Sequence, residues 1–209
     1  MGKLRSGILG NIRGKVAGVV GSQWKDVNYV REYVKPANPQ TVAQQAQRSK
    51  MALAVAFIKP LVGTVLNAYS DPFQKSMSGF NRFIKTNISL FESGIDYTDV
   101  SLVAGKLQGS EIGTIDSASG GQSYTVHWSD SNGNNGKPSD KVCLVCRNNA
   151  TGRWYQAIDG AIRSDGSLTI FTPGVGAGNS LTFYILFSQY SGTKLQLVSA
   201  STAKNHTGV

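Results

Sequence analysis

The sequence predicts an α+β fold in which a Gly-rich β arm and a helical hairpin precede an antiparallel β-sandwich. Three patterns in its 209 residues lead there. Residues 1–37 mix glycine with β-branched and aromatic residues, and residues 38–94 repeat apolar side chains at helical spacing. Residues 95–209 break into short runs separated by turn clusters. With 40% hydrophobic residues, the chain is long and apolar enough to bury a core.

The arm becomes strand-like in Gly14–Gly21 and Gln23–Val34, where Trp24, Val27, Tyr29, Val30, Tyr33 and Val34 favour one or two strands with a turn near Lys25-Asp26. Too few apolar groups precede Gly14 for an autonomous core, so the arm is expected to pack on the rest of the protein or on a neighbouring subunit. Asn38-Pro39 offers a cap followed by proline at the first helical position, and Thr41 with Gln44 matches a capping box. Val42, Ala46, Leu53, Phe57, Leu61 and Val65 follow at helical spacing, and Pro60 is expected to kink or split that helix. A second helix is expected from Asp71-Pro72 to Gly94, with Phe73, Met77, Phe80, Ile84, Ile88 and Phe91 as its apolar face. The two would pair as an antiparallel hairpin.

Strands are then expected at 123–129, 141–147, 154–163, 168–172, 181–189 and 194–199, bounded by clusters such as Gly120-Gly121, Asp130–Gly136, Asn148–Gly152 and Pro173-Gly174. One more strand from Val100–Ile115 makes seven, the count of an immunoglobulin- or fibronectin-III-like sandwich. Cys143 and Cys146 fall three apart in the apolar run Lys141–Arg147, so they face opposite sides of a strand at a separation of about 10 Å. A disulfide needs Cα atoms within about 7 Å, and the pair is read as buried or half-buried free thiols, which fits a reducing cytoplasm.

Charge divides the chain. Residues 1–91 hold thirteen basic and three acidic side chains, net +10, whereas residues 92–209 hold eight and nine, net −1. A basic front of this kind meets something anionic. Arg13, Lys15, Trp24, Tyr29, Arg31, Tyr33 and Arg48 are the residues expected to dock, the aromatics serving as interface anchors on an acidic protein surface. The alternative reading gives the same surface to nucleic acid, with cations on phosphates and aromatics on bases. Docking on protein is preferred because no recognised nucleic-acid module is visible.

No constellation for catalysis stands out, and no metal or cofactor is expected. His127 should face away from Val126 and Trp128, and His206 lies in a polar tail. Asp130–Gly136 lacks the terminal Glu of a calcium loop, and the glycines at 7, 10, 14, 18 and 21 lack the strand–loop–helix context of a phosphate site. Met1–Ser6 fits the loose N-myristoylation pattern and reads more simply as a basic start to a structural arm. No secretory signal is read, since Arg13 and Lys15 interrupt Gly7–Val20. No membrane span is read either, since Lys59 and Pro60 break Met51–Val62.

The run Gly14-Lys-Val, Trp24-Lys, Val30-Arg and Asn38-Pro-Gln-Thr-Val-Ala-Gln-Gln-Ala-Gln-Arg48 resembles a pattern widespread in phage and prophage proteins. Val126-His-Trp-Ser-Asp, Asp140-Lys-Val, Ala161-Ile-Arg-Ser-Asp-Gly and Phe183-Tyr-Ile-Leu-Phe resemble the sandwich half of a domain-of-unknown-function family from Bacteroidota and their phages. The resemblance carries no catalytic residues. It implies a bacteriophage virion protein, capsid- or tail-associated, made in the bacterial cytoplasm and built in many copies with itself or with other virion proteins.

Overall fold

β-Branched and aromatic residues of the first part build a small antiparallel sheet from β1 (Gly2–Leu4), β2 (Gly14–Val16), β3 (Val19–Trp24) and β4 (Val27–Glu32), in the order β1-β4-β3-β2. The structure is a computed structural model describing residues 2–4, 13–24, 27–35, 37–38, 40–73, 77–92, 95–118, 122–129, 133, 135–176 and 178–207. The myristoylation start at Met1, Gly7 and Gly10, the Lys25-Asp26 turn, Pro39, Gly94, Gly120-Gly121 and Asp130 lie outside the described residues. Residues 1–42 form one compact unit and residues 43–209 another. Helices account for 28% of the chain and strands for 41%, an α+β composition.

In the second unit, α1 (Val42–Ile58) begins one residue after Thr41. Pro60 does not end the helical path. It lacks the N–H for an α bond, and its ring crowds the preceding turn. The chain therefore tightens to a 3-10 turn at Lys59–Leu61, widens to a π turn at Val62–Leu66, and resumes as α2 (Asn67–Tyr69). By length and composition the run Val42–Tyr69 is apolar enough to cross a membrane, contrary to the reading of Met51–Val62 as broken. Its Ala54, Phe57, Ile58, Leu61, Val65, Leu66 and Tyr69 nonetheless line the protein core.

The second helix starts later than expected. Asp71–Phe73 makes only a 3-10 turn, and α3 (Gly79–Asn87) begins where Ser78 Oγ accepts a hydrogen bond from Asn81 N at 3.3 Å. Asp71 caps this helix from a distance, because its carboxylate accepts from Gly79 N. Phe73 and Met77 consequently stay exposed, and Phe83, absent from the expected apolar face, is buried. Phe57 stacks on Phe83 with centroids 6.0 Å apart.

Eight strands follow: β5 (Ile112–Ser117), β6 (Ser123–Trp128), β7 (Lys141–Asn148), β8 (Trp154–Ile162), β9 (Ser167–Phe171), β10 (Ser180–Ser191), β11 (Lys194–Val198) and β12 (Thr202–Thr207). One sheet runs β5-β6-β9. The other runs β11-β10-β7-β8, and β12 also pairs with β10, along Ser180–Ile185. Instead of the two layers of an isolated sandwich, the unit has three. One face of the larger sheet presents Leu144, Cys146, Phe183, Ile185 and Phe187 to Tyr124, Val126 and Trp128 of the smaller sheet. Its other face presents Cys143, Val145, Tyr184 and Leu186 to the helices. Strands covered on both faces read as continuous apolar runs, and β7 and β10 are buried almost throughout.

Arg147 fastens the helical layer to the sheet. Its guanidinium carbon lies 4.1 Å from the Tyr97 ring centroid and 5.0 Å from that of Phe57. Trp154 Nε1 donates to the Phe57 carbonyl at 3.1 Å.

The two cysteines are free and lie on opposite faces of β7, Cys143 toward the helices and Cys146 toward the smaller sheet. Burial pushes the Cys143 thiol up to about 12 and that of Cys146 up as well. Since the thiolate is the reactive form, neither thiol should react with Ellman's reagent in native protein within minutes, and both should react in denaturant. Rapid native titration of either would contradict its burial.

Candidate docking surface

Antiparallel register decides which residues of the small sheet stand together. Lys15, Val20 and Arg31 form one cross-strand row, Ser22 and Tyr29 the next, and Trp24 and Val27 the third. Alternate residues of a strand share a face. Lys15, Tyr29 and Arg31 therefore share one face, and Trp24 holds a register position on it. Tyr33 extends the β4 row, with its N–H on the Gly18 carbonyl at 2.8 Å and its ring centroid 3.6 Å from Lys15 Nζ. That cation–π contact at an exposed site contributes about 0.5–1 kcal/mol.

Two of the seven expected residues fall elsewhere. Arg13 precedes β2 next to Gly14, whose φ of 98° breaks the strand alternation, and its guanidinium donates to Gln23, in a row of the opposite face. Arg48 belongs to α1, in the other unit, where Val42–Ser49 are all exposed.

The small sheet leaves several apolar side chains open to solvent. Among the sheet residues whose exposure is described, those of 14–23 and 27–32, only Gly21 is buried. Val27 (44% exposed) and Tyr33 (43%) face solvent on one side, and Val16 (62%) and Val19 (42%) on the other. A stable sheet of this size needs an apolar face covered by something. Helix α1 repeats the theme, with Val42 at its start 83% and Leu53 further along 52% exposed. A helix gains most of its stability from packing an apolar face rather than from propensity.

The titratable groups inside the larger unit are structural in their geometry. Tyr69 Oη donates to Asp159 Oδ1 at 2.9 Å, and Lys141 Nζ lies 3.4 Å from Asp159 Oδ2. Asp159 sits at φ 53°, where the β7–β8 register shifts between Val142 and Leu144. This bulge aims its carboxylate at the helical layer. Burial raises the Tyr69 phenol, and the Asp159 charge raises it further. Neither that phenol nor the neighbouring Cys143 thiol ionises near neutral pH.

His127 does face away from Val126 and Trp128, and its Nε2 meets Asp116 Oδ2 at 2.9 Å on the open side of the smaller sheet. His206 is half-buried against Tyr124 and Phe183, and burial lowers its pKa. Among the described residues, no group of three metal-ligating side chains converges.

Sequence reasoning missed one buried pair. Arg163 and Asp140 are both fully buried, with Nε 3.3 Å from Oδ2. Arg163 also donates to the Gln108 carbonyl at 2.6 Å and covers the Phe187 ring at 4.0 Å. Asp140 accepts from Lys137 N at 2.8 Å and from Gln189 Nε2 at 3.1 Å. A lone Asp at a turn and an Arg at a strand end gave no sign of each other at a separation of 23 residues.

The class defined by this geometry is an α+β protein in which a small basic sheet with exposed apolar residues precedes a three-layer body in the chain. The chain belongs to DUF6266, a family of unknown function, whose profile matches residues 11–201. No curated protein matches its sequence.

Proposed function

We propose that the protein is a non-enzymatic structural subunit of a bacteriophage virion, capsid- or tail-associated, which docks on neighbouring subunits through its small sheet and the exposed start of α1. The observation that carries this reading is the sheet with apolar residues open on both faces, Val27 and Tyr33 on one and Val16 and Val19 on the other. Burying such faces supplies the driving force for association, and Lys15 and Arg31 would steer the sheet to an acidic surface. The phage setting rests on the sequence resemblance alone. We also read residues 95–209 as a fibronectin-III-like sandwich: the chain builds β5-β6-β9 on one sheet and β8-β7-β10-β12 on the other, with β11 as an added hairpin strand.

Sedimentation of the full chain together with hydrogen exchange tests the docking. Multi-copy species are expected, with slowed exchange in β2–β4, and Val16→Glu/Val19→Glu should return the chain to a monomer. A monomer at all concentrations whose β2–β4 amides are already protected would refute docking. Steep salt-dependent binding to DNA or RNA, lost in Lys15→Glu/Arg31→Glu, would instead favour the nucleic-acid reading.

A further inference from the structure

A groove unlike the small sheet lies wholly within the 43–209 unit. Its volume is about 840 Å³, and it runs between α3 and the segment Ala104–Lys106. Arg82 and Lys85 stand three residues apart on α3, so both project to the same side of the helix. Lys106 supplies a third cation from the facing bank. No acidic residue lines the groove among the described residues, and neither Lys85 nor Lys106 has an ion-pair partner among them.

The groove is also built. Arg82 Nη1 donates to the Ala104 carbonyl at 3.0 Å, which holds the guanidinium at the junction of the two banks. Gly105 lies directly on the β11 backbone, where a Cβ would meet the Val198 carbonyl oxygen at 1.7 Å. Phe73 and Met77, which the late start of α3 leaves 39% and 36% exposed, supply an apolar flank.

We infer that this groove binds a short acidic segment of a partner protein, with carboxylates on Arg82, Lys85 and Lys106 and an apolar side chain against Phe73 and Met77. Charge complementarity selects the anion, and the apolar flank selects a peptide. Single-stranded nucleic acid needs successive aromatic platforms along a basic track. Here one aromatic stands beside a thioether, and the cations are gathered in a single cavity of ordinary ligand size.

Fluorescence anisotropy with the full chain tests this. The probes are a fluorescein-labelled peptide of alternating Asp and Leu, matched Asn/Leu and Asp/Ser peptides, and labelled oligo-dT. The Asp/Leu peptide should bind, and Lys85→Glu/Lys106→Glu should weaken it at least about tenfold, while Lys15→Glu/Arg31→Glu changes it less than about twofold. The Asn/Leu and Asp/Ser peptides should each bind at least about tenfold more weakly than Asp/Leu, since each lacks half of the recognition. Both lysines are exposed and Arg82 is left in place, so the fold should survive; Lys85→Gln/Lys106→Gln repeats the measurement with a smaller change. Four outcomes overturn the inference: no Asp/Leu binding by the unaltered chain, binding untouched by either groove variant, an equal loss in the small-sheet variant, or preferential binding of oligo-dT in the groove.

Discussion

Arg163→Met will cost the larger unit about 3–5 kcal/mol of unfolding free energy, because it leaves Asp140 buried and without its charge partner. The guanidinium ties together pieces far apart in sequence: the Asp140 turn, the Gln108 carbonyl and the Phe187 ring of β10. The Arg163 backbone adds to this, its N–H on the Asp140 carbonyl at 2.8 Å and its carbonyl on Trp128 Nε1 at 2.9 Å. Methionine keeps much of the side-chain volume, so most of the loss is electrostatic. Asp140→Asn should lose less, since the amide oxygen still accepts from Lys137 N. Urea unfolding followed by tryptophan fluorescence reads these differences. The double variant Asp140→Leu/Arg163→Met should recover much of the loss, as apolar replacements of buried pairs do. If Arg163→Met falls within about 1 kcal/mol of the unaltered chain, the pair is not holding these segments together.

Gly105→Ala should cost about 3 kcal/mol, near the top of the range for overpacking a close-packed site. The added methyl would land 1.7 Å from the Val198 carbonyl oxygen, and backbone cannot rotate aside as a side-chain tip can. The segment must lift off β11, straining the hydrogen bond from Leu107 N to the same carbonyl at 3.0 Å and the parallel bridge of Leu107 with Ser199. Gly109→Ala is the internal control, because its methyl would find its nearest neighbour at 3.7 Å, ordinary contact. Equal urea midpoints for the two variants would mean that the close approach at Gly105 is not a constraint.

Where one physical signal dominated, the sequence could be read well. Tyr124, Val126 and Trp128 alternate because one face of β6 is covered and the other open, and that strand lies where alternation puts it. The opposed cysteines followed from strand geometry alone. The polar stretch Thr202–Thr207 hid β12, whose place is set by pairing with β10 rather than by its own apolar content. The helix over 79–87 was placed too early because Asp71-Pro72 looks like a start, whereas Asp71 acts across a turn on Gly79. On the candidate surface, the basic and aromatic composition identified the residues, and register then gathered Lys15, Tyr29 and Arg31 on one face. Composition could not separate Arg13 from that set, because positive charge carries no information about strand parity, nor Arg48, because charge alone does not tell the sheet's cations from those of α1. The groove was invisible for a related reason: Arg82, Lys85 and Lys106 meet only after α3 and Ala104–Lys106 come side by side.

The double coverage of β7 and β10 removes the usual safeguard against sliding. In a half-exposed strand, a shift of one residue throws apolar groups into water and is rejected at once. Here both parities are oily, so Cys143 and Val145 could trade sides with Leu144 and Cys146 at little cost in solvation alone. What distinguishes the correct alignment must then be the polar groups at the ends of the rungs. Asp140 clasps Arg163 before β7 starts, and Arg147 lodges among Tyr97, Phe57 and Trp154 near its finish. These two arginines behave like dowel pins in a joint whose flat surfaces would otherwise glide, and loosening both should leave a condensed chain that no longer knows which notch it belongs in.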